Sequence, residues 1–195
     1  MVDFTPLTTA MSTQSFDEIA SICDTLFLQS QSSPPLDWPF AVHLLAHIYS
    51  DDLNSARFLW KLVPGEVKEG KPEVAAVWRI GQRLWTRDYG GVYEAVRGFE
   101  WSGELRGMIA AFEDKYTREM FQLLLAAYST ISVQDAALFL GMSEDDATKY
   151  TLQEGWFLDS TSGMLAVKKQ PIVSDQKLDT GKLQQLTEYV FHLEH

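Results

Sequence analysis

The stretch Tyr128 to Lys169, YSTISVQDAALFLGMSEDDATKYTLQEGWFLDSTSGMLAVKK, constrains this chain most. Ser132 stands where a helix N-cap is wanted. Val133, Ala136, Ala137 and Leu140 follow at i, i+3, i+4 and i+7, one apolar face. Gly141 can adopt the left-handed conformation that stops this helix, with Met142 folding back on the stripe. Ser143 caps a second helix whose first turn holds Glu144, Asp145 and Asp146, where acids favour the positive end of the dipole. Gly155 ends it. Trp156–Asp159 and Met164–Lys168 then read as two short strands around the turn-rich Ser160–Gly163. Helix, turn, helix and hairpin together predict a small winged helix over 128–169.

Winged helices often read DNA, so the charge of the second helix matters. Between Ser143 and Gly155, Glu144, Asp145, Asp146 and Glu154 oppose a single base, Lys149. Groove binding depends on Lys and Arg neutralising phosphates, and no Arg or Asn is present for bidentate base contacts. This helix is expected to meet protein rather than DNA.

The rest of the chain predicts helices. Residues 1–15 are polar and Thr-rich, read as an N-terminal tail with at most one helical turn after Pro6. Ser15 caps FDEIASICDTLFLQ, with Phe16, Ile19, Ala20, Cys23, Leu26 and Phe27 on one face. Gln29–Asp37 is a loop by composition. Helices are then expected from Trp38 (WPFAVHLLAHIYS), from Asp52 to Pro64, from Pro72 (PEVAAVWRIGQRLWTRD) and over Tyr89–Phe99. A long one follows, capped by Ser102. These short hairpins resemble a helical-repeat array over 16–127, although the spacing is too irregular to define a repeat. Residues 170–181 form a polar linker. Residues 182–195 form a C-terminal helix with Leu183, Leu186, Tyr189, Val190 and Leu193 on one apolar face. The fold class is therefore mostly α: a helical-hairpin array, a winged helix with a small β-hairpin, and a C-terminal helix.

Composition excludes several function classes. A net charge of −11 disfavours nucleic acid or an anionic membrane as the main partner. No apolar run reaches a membrane span, and the N-terminus lacks the pattern of a secretory signal. Cys23, the only cysteine, cannot form an internal disulfide, which fits a reducing compartment; in its apolar stripe it reads as a buried hydrophobe.

No constellation for catalysis is visible. His43 and His47 lie four apart, but the Glu of a zinc-protease helix is replaced by Leu44, and no Cys or third His is near in sequence. They read as buried or interface histidines, and no metal or cofactor is assigned. His192 and His195 lack a supporting shell. Gly90–Gly91 reads as a turn, Lys168–Lys169 as a solvated strand end, and Trp60, Trp78 and Trp85 as core residues on helical stripes. The nucleophile elbow, the phosphate loop and the dinucleotide fingerprint are all missing from the sequence.

Helical hairpins leading to an acidic winged helix and a lone C-terminal helix resemble the PCI-domain proteins. Those are scaffold subunits of the proteasome lid, the COP-nine signalosome and the translation initiation factor three complex. The stretches FDEIASICDTLFLQ, DWPFAVHLLAHIYSDDLNSARFLWKLVP, MFQLLLAAYSTISVQDAALFLGMSEDDAT and LTEYVFHLEH resemble the smallest PCI subunits of the signalosome, plant forms above all. The resemblance covers about Phe16 to His195. It implies a non-catalytic scaffold for the complex that removes the ubiquitin-like protein Nedd from cullin ligases, with the zinc active site on another subunit. It further implies assembly through the winged helix and a shared bundle of C-terminal helices, with subunit three as neighbour. In plants it implies repression of photomorphogenesis, in nucleus and cytoplasm. The candidate interface is then Leu183, Leu186, Tyr189, Val190 and Leu193 with Glu144, Asp145 and Asp146. The alternatives are the related small subunit of the proteasome lid and a nucleic-acid-binding winged-helix adaptor.

Overall fold

The computed structural model describes residues 3–29, 37–159, 162–167 and 189. Among them the chain forms ten helices and one three-stranded antiparallel sheet. The fold is mostly α, as the sequence predicts. The helices are α1 (Thr5–Ser12), α2 (Phe16–Gln29), α3 (Phe40–Tyr49), α4 (Leu53–Leu62), α5 (Gly65–Gly70), α6 (Pro72–Trp85), α7 (Tyr89–Arg97), α8 (Gly103–Ala127), α9 (Val133–Leu140) and α10 (Glu144–Gln153). The strands are β1 (Thr130–Ser132), β2 (Phe157–Asp159) and β3 (Met164–Ala166).

The centre of the helical array is α3. Apolar on almost every side, it buries Phe40, Val42, Leu44, Leu45, Ala46 and Ile48. A helix apolar all round must be enclosed, and α2, α4, α6 and α8 surround this one. The polar N-terminal tail expected over 1–15 is different in the structure. Asp3 accepts hydrogen bonds from the Thr5 backbone N–H and hydroxyl, starting α1, and Leu7 and Ala10 are buried where α1 meets α2. Its many threonines hid the two apolar positions. Trp85 also departs from the core reading: Trp60 and Trp78 stack with centroids 5.4 Å apart, but Trp85 is 51% exposed. Ser102 occupies the N-cap of α8 without a side-chain cap bond. Its backbone N–H instead donates to Glu73 Oε1 at 2.8 Å, tying α8 to α6.

A repeat that the sequence conceals appears in the backbone. Gln14, Asp51 and Arg87 all have left-handed φ, at intervals of 37 and 36 residues. Each ends one helix of a hairpin, α1/α2, α3/α4 and α6/α7. At each, the following N–H closes a six-residue ring: Ser15 donates to the Ala10 carbonyl at 3.0 Å, Asp52 to His47 at 2.9 Å and Asp88 to Arg83 at 3.0 Å. Asp52 and Asp88 then cap the next helices by accepting from the Ser55 and Gly91 N–H groups. The motif is a Schellman turn followed directly by the next helix, three times over, with an aspartate side-chain N-cap at the second and third. Glycine, its usual marker, is absent at all three.

The winged unit follows its sequence rules closely. Ser132 and Ser143 accept from the Asp135 and Asp146 N–H groups at 3.0 and 3.2 Å. Gly141 has φ 62°. The expected hairpin forms from β2 and β3 (Leu158 opposite Leu165), and Thr130–Ser132 adds a third strand by pairing with β3 (Ile131 opposite Leu165), giving the order β1-β3-β2. α9 packs on α7 and α8, joining the unit to the array. Phe121 of α8 stacks on Trp156 at 5.2 Å and meets Tyr150 edge-on at 5.4 Å.

Two left-handed positions should respond oppositely to substitution. A Cβ at Gly141 would lie 2.2 Å from the Tyr93 ring, so Gly141→Ala adds a clash to backbone strain. It should lose about 2–4 kcal/mol in urea unfolding. Gln14 is exposed and left-handed, so Gln14→Gly should gain about 0.5–1 kcal/mol. A Gly141→Ala protein as stable as the parent would contradict the packing described.

Candidate functional site

The winged unit offers the first candidate surface. Glu144, Asp145 and Asp146 are all exposed in the first turn of α10, as expected. They are not equivalent. The Asp146 carboxylate accepts from the Ser143 hydroxyl at 2.7 Å while its own N–H donates back to that oxygen, and Lys149 lies 3.8 Å away. Asp146 is thus part of the cap, whereas the Glu144 and Asp145 carboxylates have no ion pair among the described residues. The Lys149 side chain, alone in its sign on α10, is already drawn to an acid, so the helix presents a negative surface.

Apolar exposure lies beside it. β2 is an outer strand of the sheet, and all three of its residues are exposed, Phe157 at 64%. Leu158 and, on α10, Leu152 add to this surface. An edge strand with solvent-facing aromatic and leucine side chains is a template for pairing with another chain. In the sequence this strand is legible only as half of a hairpin; its exposure on both faces depends on the neighbours it lacks among the described residues. Of the C-terminal positions, Leu183, Leu186, Val190 and Leu193 lie outside the described residues. Tyr189 is helical and 68% exposed. Lys168, Lys169, His192, His195 and the linker 170–181 also lie outside them.

A second cluster joins α2 to α3. Asp24 Oδ1 lies 2.9 Å from His43 Nε2 and 3.2 Å from His47 Nε2, and the two nitrogens are 3.1 Å apart. The histidine pair is legible in the sequence, whereas Asp24 is not, because it is brought in from another helix. These separations are near the ~3.3 Å between ligands around a tetrahedral zinc ion. The proton positions argue otherwise. The Trp38 indole N–H, a donor only, donates to His43 Nδ1 at 3.2 Å. That leaves the His43 proton on Nε2, the atom a metal would need, and this N–H donates to Asp24. A metal-binding histidine instead donates from its outer nitrogen to an acceptor. The trio therefore acts as a hydrogen-bonded staple between helices. Cys23, next to Asp24, is fully buried, and burial pushes its thiol up to about 12, so the thiolate is suppressed. Gly90 and Gly91 are in the first turn of α7, where Gly91 donates to Asp88 and Gly90 lies under Leu138.

The sequence matches the CSN8/PSMD8/EIF3K family over residues 36–176. It is 59% identical over 197 aligned residues to the COP9 signalosome complex subunit 8 of Arabidopsis thaliana, covering 100% of both chains. The protein of the same name from Danio rerio is 35% identical over 78% of this chain and 80% of its own. That of Xenopus laevis is 30% identical over 95% and 96%.

The staple gives stability a pH signature. Burial lowers the His43 pKa to about 4, against an ordinary value near 6.5, although the Asp24 hydrogen bond pulls the other way. Between these values the unfolded chain binds the extra proton, so the folded state loses stability as pH falls. The loss should approach ~1.4 kcal/mol per pH unit below pH 6.5 and total roughly 2–3 kcal/mol near pH 4. Urea unfolding from pH 7.5 to 5 should show this slope, and His43→Gln should flatten it; equal slopes would count against the assignment. Added zinc should leave the transition unmoved in both. A zinc-dependent rise abolished by His43→Gln would restore the metal reading.

Proposed function

Since the chain belongs to the CSN8/PSMD8/EIF3K family, we propose that it is a non-catalytic scaffold subunit of the COP-nine signalosome, a PCI protein assembling through its winged helix and C-terminal segment. The relatives of which it covers most carry the signalosome name, favouring this reading over the small subunit of the proteasome lid. The complex removes Nedd from cullin-RING ligases, with its chemistry on another subunit. In a plant the protein would act in repressing photomorphogenesis, in nucleus and cytoplasm.

The observation that carries the scaffold reading is the outer strand β2. Its backbone edge and the exposed Phe157 and Leu158 provide hydrogen bonds and apolar area to a neighbouring subunit, with subunit three as the proposed partner. Glu144 and Asp145, in the first turn of α10, give the same winged unit negative charge, which selects orientation more than it adds affinity. The C-terminal segment, with Leu183, Leu186, Tyr189, Val190 and Leu193 at helical spacing, enters a bundle with the equivalent segments of other subunits.

Purification of a tagged chain from its own cells, with identification of the co-purifying subunits, tests the assignment. Phe157→Glu should release the neighbouring subunit, weakening its retention at least tenfold, while thermal unfolding stays within about 2 °C of the parent. Deleting Lys182–His195 should likewise leave a folded chain that no longer stays in the complex. A truncated chain that unfolds or aggregates alone would place the segment in the core. Normal assembly of both variants would place the interface elsewhere.

A further inference from the structure

A second exposed face, formed by α4 and α6, has the opposite chemistry to the winged unit. Residues 53–87 hold seven basic residues and three acidic ones, a net +4 in a chain of −11. The large apolar side chains here are turned outward: Phe58 is 63% exposed and Leu62, one turn on, 59%. The cations lie over the rings. Arg57 sits 5.1 Å from the centre of Trp85, Lys61 5.8 Å from Phe58 and Lys68 4.7 Å from Trp60. Arg57, Trp78, Arg79, Gln82, Arg83 and Trp85 line an open groove of about 610 Å³ between the two helices.

Arg57, Lys61, Lys68 and Arg79 make no ion pair with any carboxylate among the described residues, whereas Arg83 is paired with Asp88. A guanidinium stacked on an indole keeps its N–H edge outward, pre-set for a bidentate carboxylate. Arginine beside exposed aromatic rings is also the composition of interface hot spots.

We propose that the α4–α6 face docks an acidic segment of another protein chain, one carrying carboxylates on either side of an apolar side chain. The apolar group fits against Phe58, Leu62 and Trp85, and the carboxylates meet Arg57, Arg79 and Lys61. A polyanion such as nucleic acid is a poorer match. The remainder of the chain is −15, and a long phosphate backbone would run off the patch onto it. A short acidic segment stays within the positive region, near the ~8 Å screening distance of physiological salt. The inference rests on the scaffold reading above, and it adds a partner site distinct from β2 and the C-terminal segment.

The test uses the complex isolated through a tag on this chain. A carbodiimide couples carboxylates directly to lysines. Lys61 or Lys68 should be joined to an Asp or Glu of a different subunit. The double variant Arg57→Glu, Arg79→Glu should retain that subunit at least tenfold less well at 150 mM salt, with its unfolding temperature unchanged. The pair Arg57→Lys, Arg79→Lys, which keeps the charge but loses the planar fork, should give retention between that of the parent and that of the glutamate variant. All three results are required. The proposal is overturned by coupling only within this chain or to a second copy of it, by nuclease-sensitive retention, or by unchanged assembly of the double variant. If the parent chain co-purifies with no signalosome subunit at all, the scaffold reading fails and this inference falls with it.

Discussion

The placement of the winged unit depends on one close contact, the Tyr93 ring against Gly141. With φ 62° and its Cα hydrogen facing the ring, Gly141 lets the α9–α10 turn approach α7 to a distance no other residue allows. The contact is then locked by charge. Arg97 donates to the Gly141 carbonyl at 2.6 Å and pairs with Glu113 of α8 at 2.6 Å, while its guanidinium lies 5.4 Å from the Tyr93 ring centre. One side chain thus joins the helical array, the long helix and the turn of the winged unit. Phe121 against Trp156 adds apolar area on the other side of the same joint. Any surface the winged unit presents is therefore held in fixed register with α4 and α6.

Local rules made much of this legible. Ser132, Gly141, Ser143 and Gly155 announce caps and stops because each acts within four residues of itself. The three hairpin turns of the array use the same hydrogen bonds, yet Gln14, Asp51 and Arg87 carry no glycine signal, so the repeat passed for irregular spacing. At each, a non-glycine residue tolerates left-handed strain of roughly 1 kcal/mol or more, offset by the packing of the helices it joins. β1 was missed for another reason. Thr130–Ser132 is a strand only because Met164–Ala166 lies beside it, and three residues have no periodicity to read. Short α5, with only Val67 buried, gave no stripe either.

The candidate sites divide along the same line. The acids of α10 were visible as a pattern, but which of them is free depended on the reciprocal bond between Ser143 and Asp146. The histidine pair was visible at i, i+4, whereas its partner Asp24 came from a helix 19 residues away. Trp85 lay on an apolar stripe, and only the packing of α4 against α6 shows it half in solvent beneath Arg57. An aromatic stripe tells which face of a helix is apolar. It does not tell whether the protein itself covers that face.

That distinction bears on how surfaces alone can make a chain specific. The winged unit is acidic and apolar along α10 and β2; the α4–α6 face is basic and aromatic. Two copies of one kind of patch would let a partner bind in either place, and the gain in contact would carry little information. Patches of opposite sign reject each other's partners through like-charge contact, which costs more than surface ion pairs return. The rigid joint at Gly141 then fixes the angle between the two, so a neighbour engaging one is oriented relative to whatever engages the other. On the scaffold reading proposed above, orientation of this kind is what the chain would contribute to an enzyme whose reactive groups lie elsewhere, because positioning alone lowers the barrier for a reaction between bound groups.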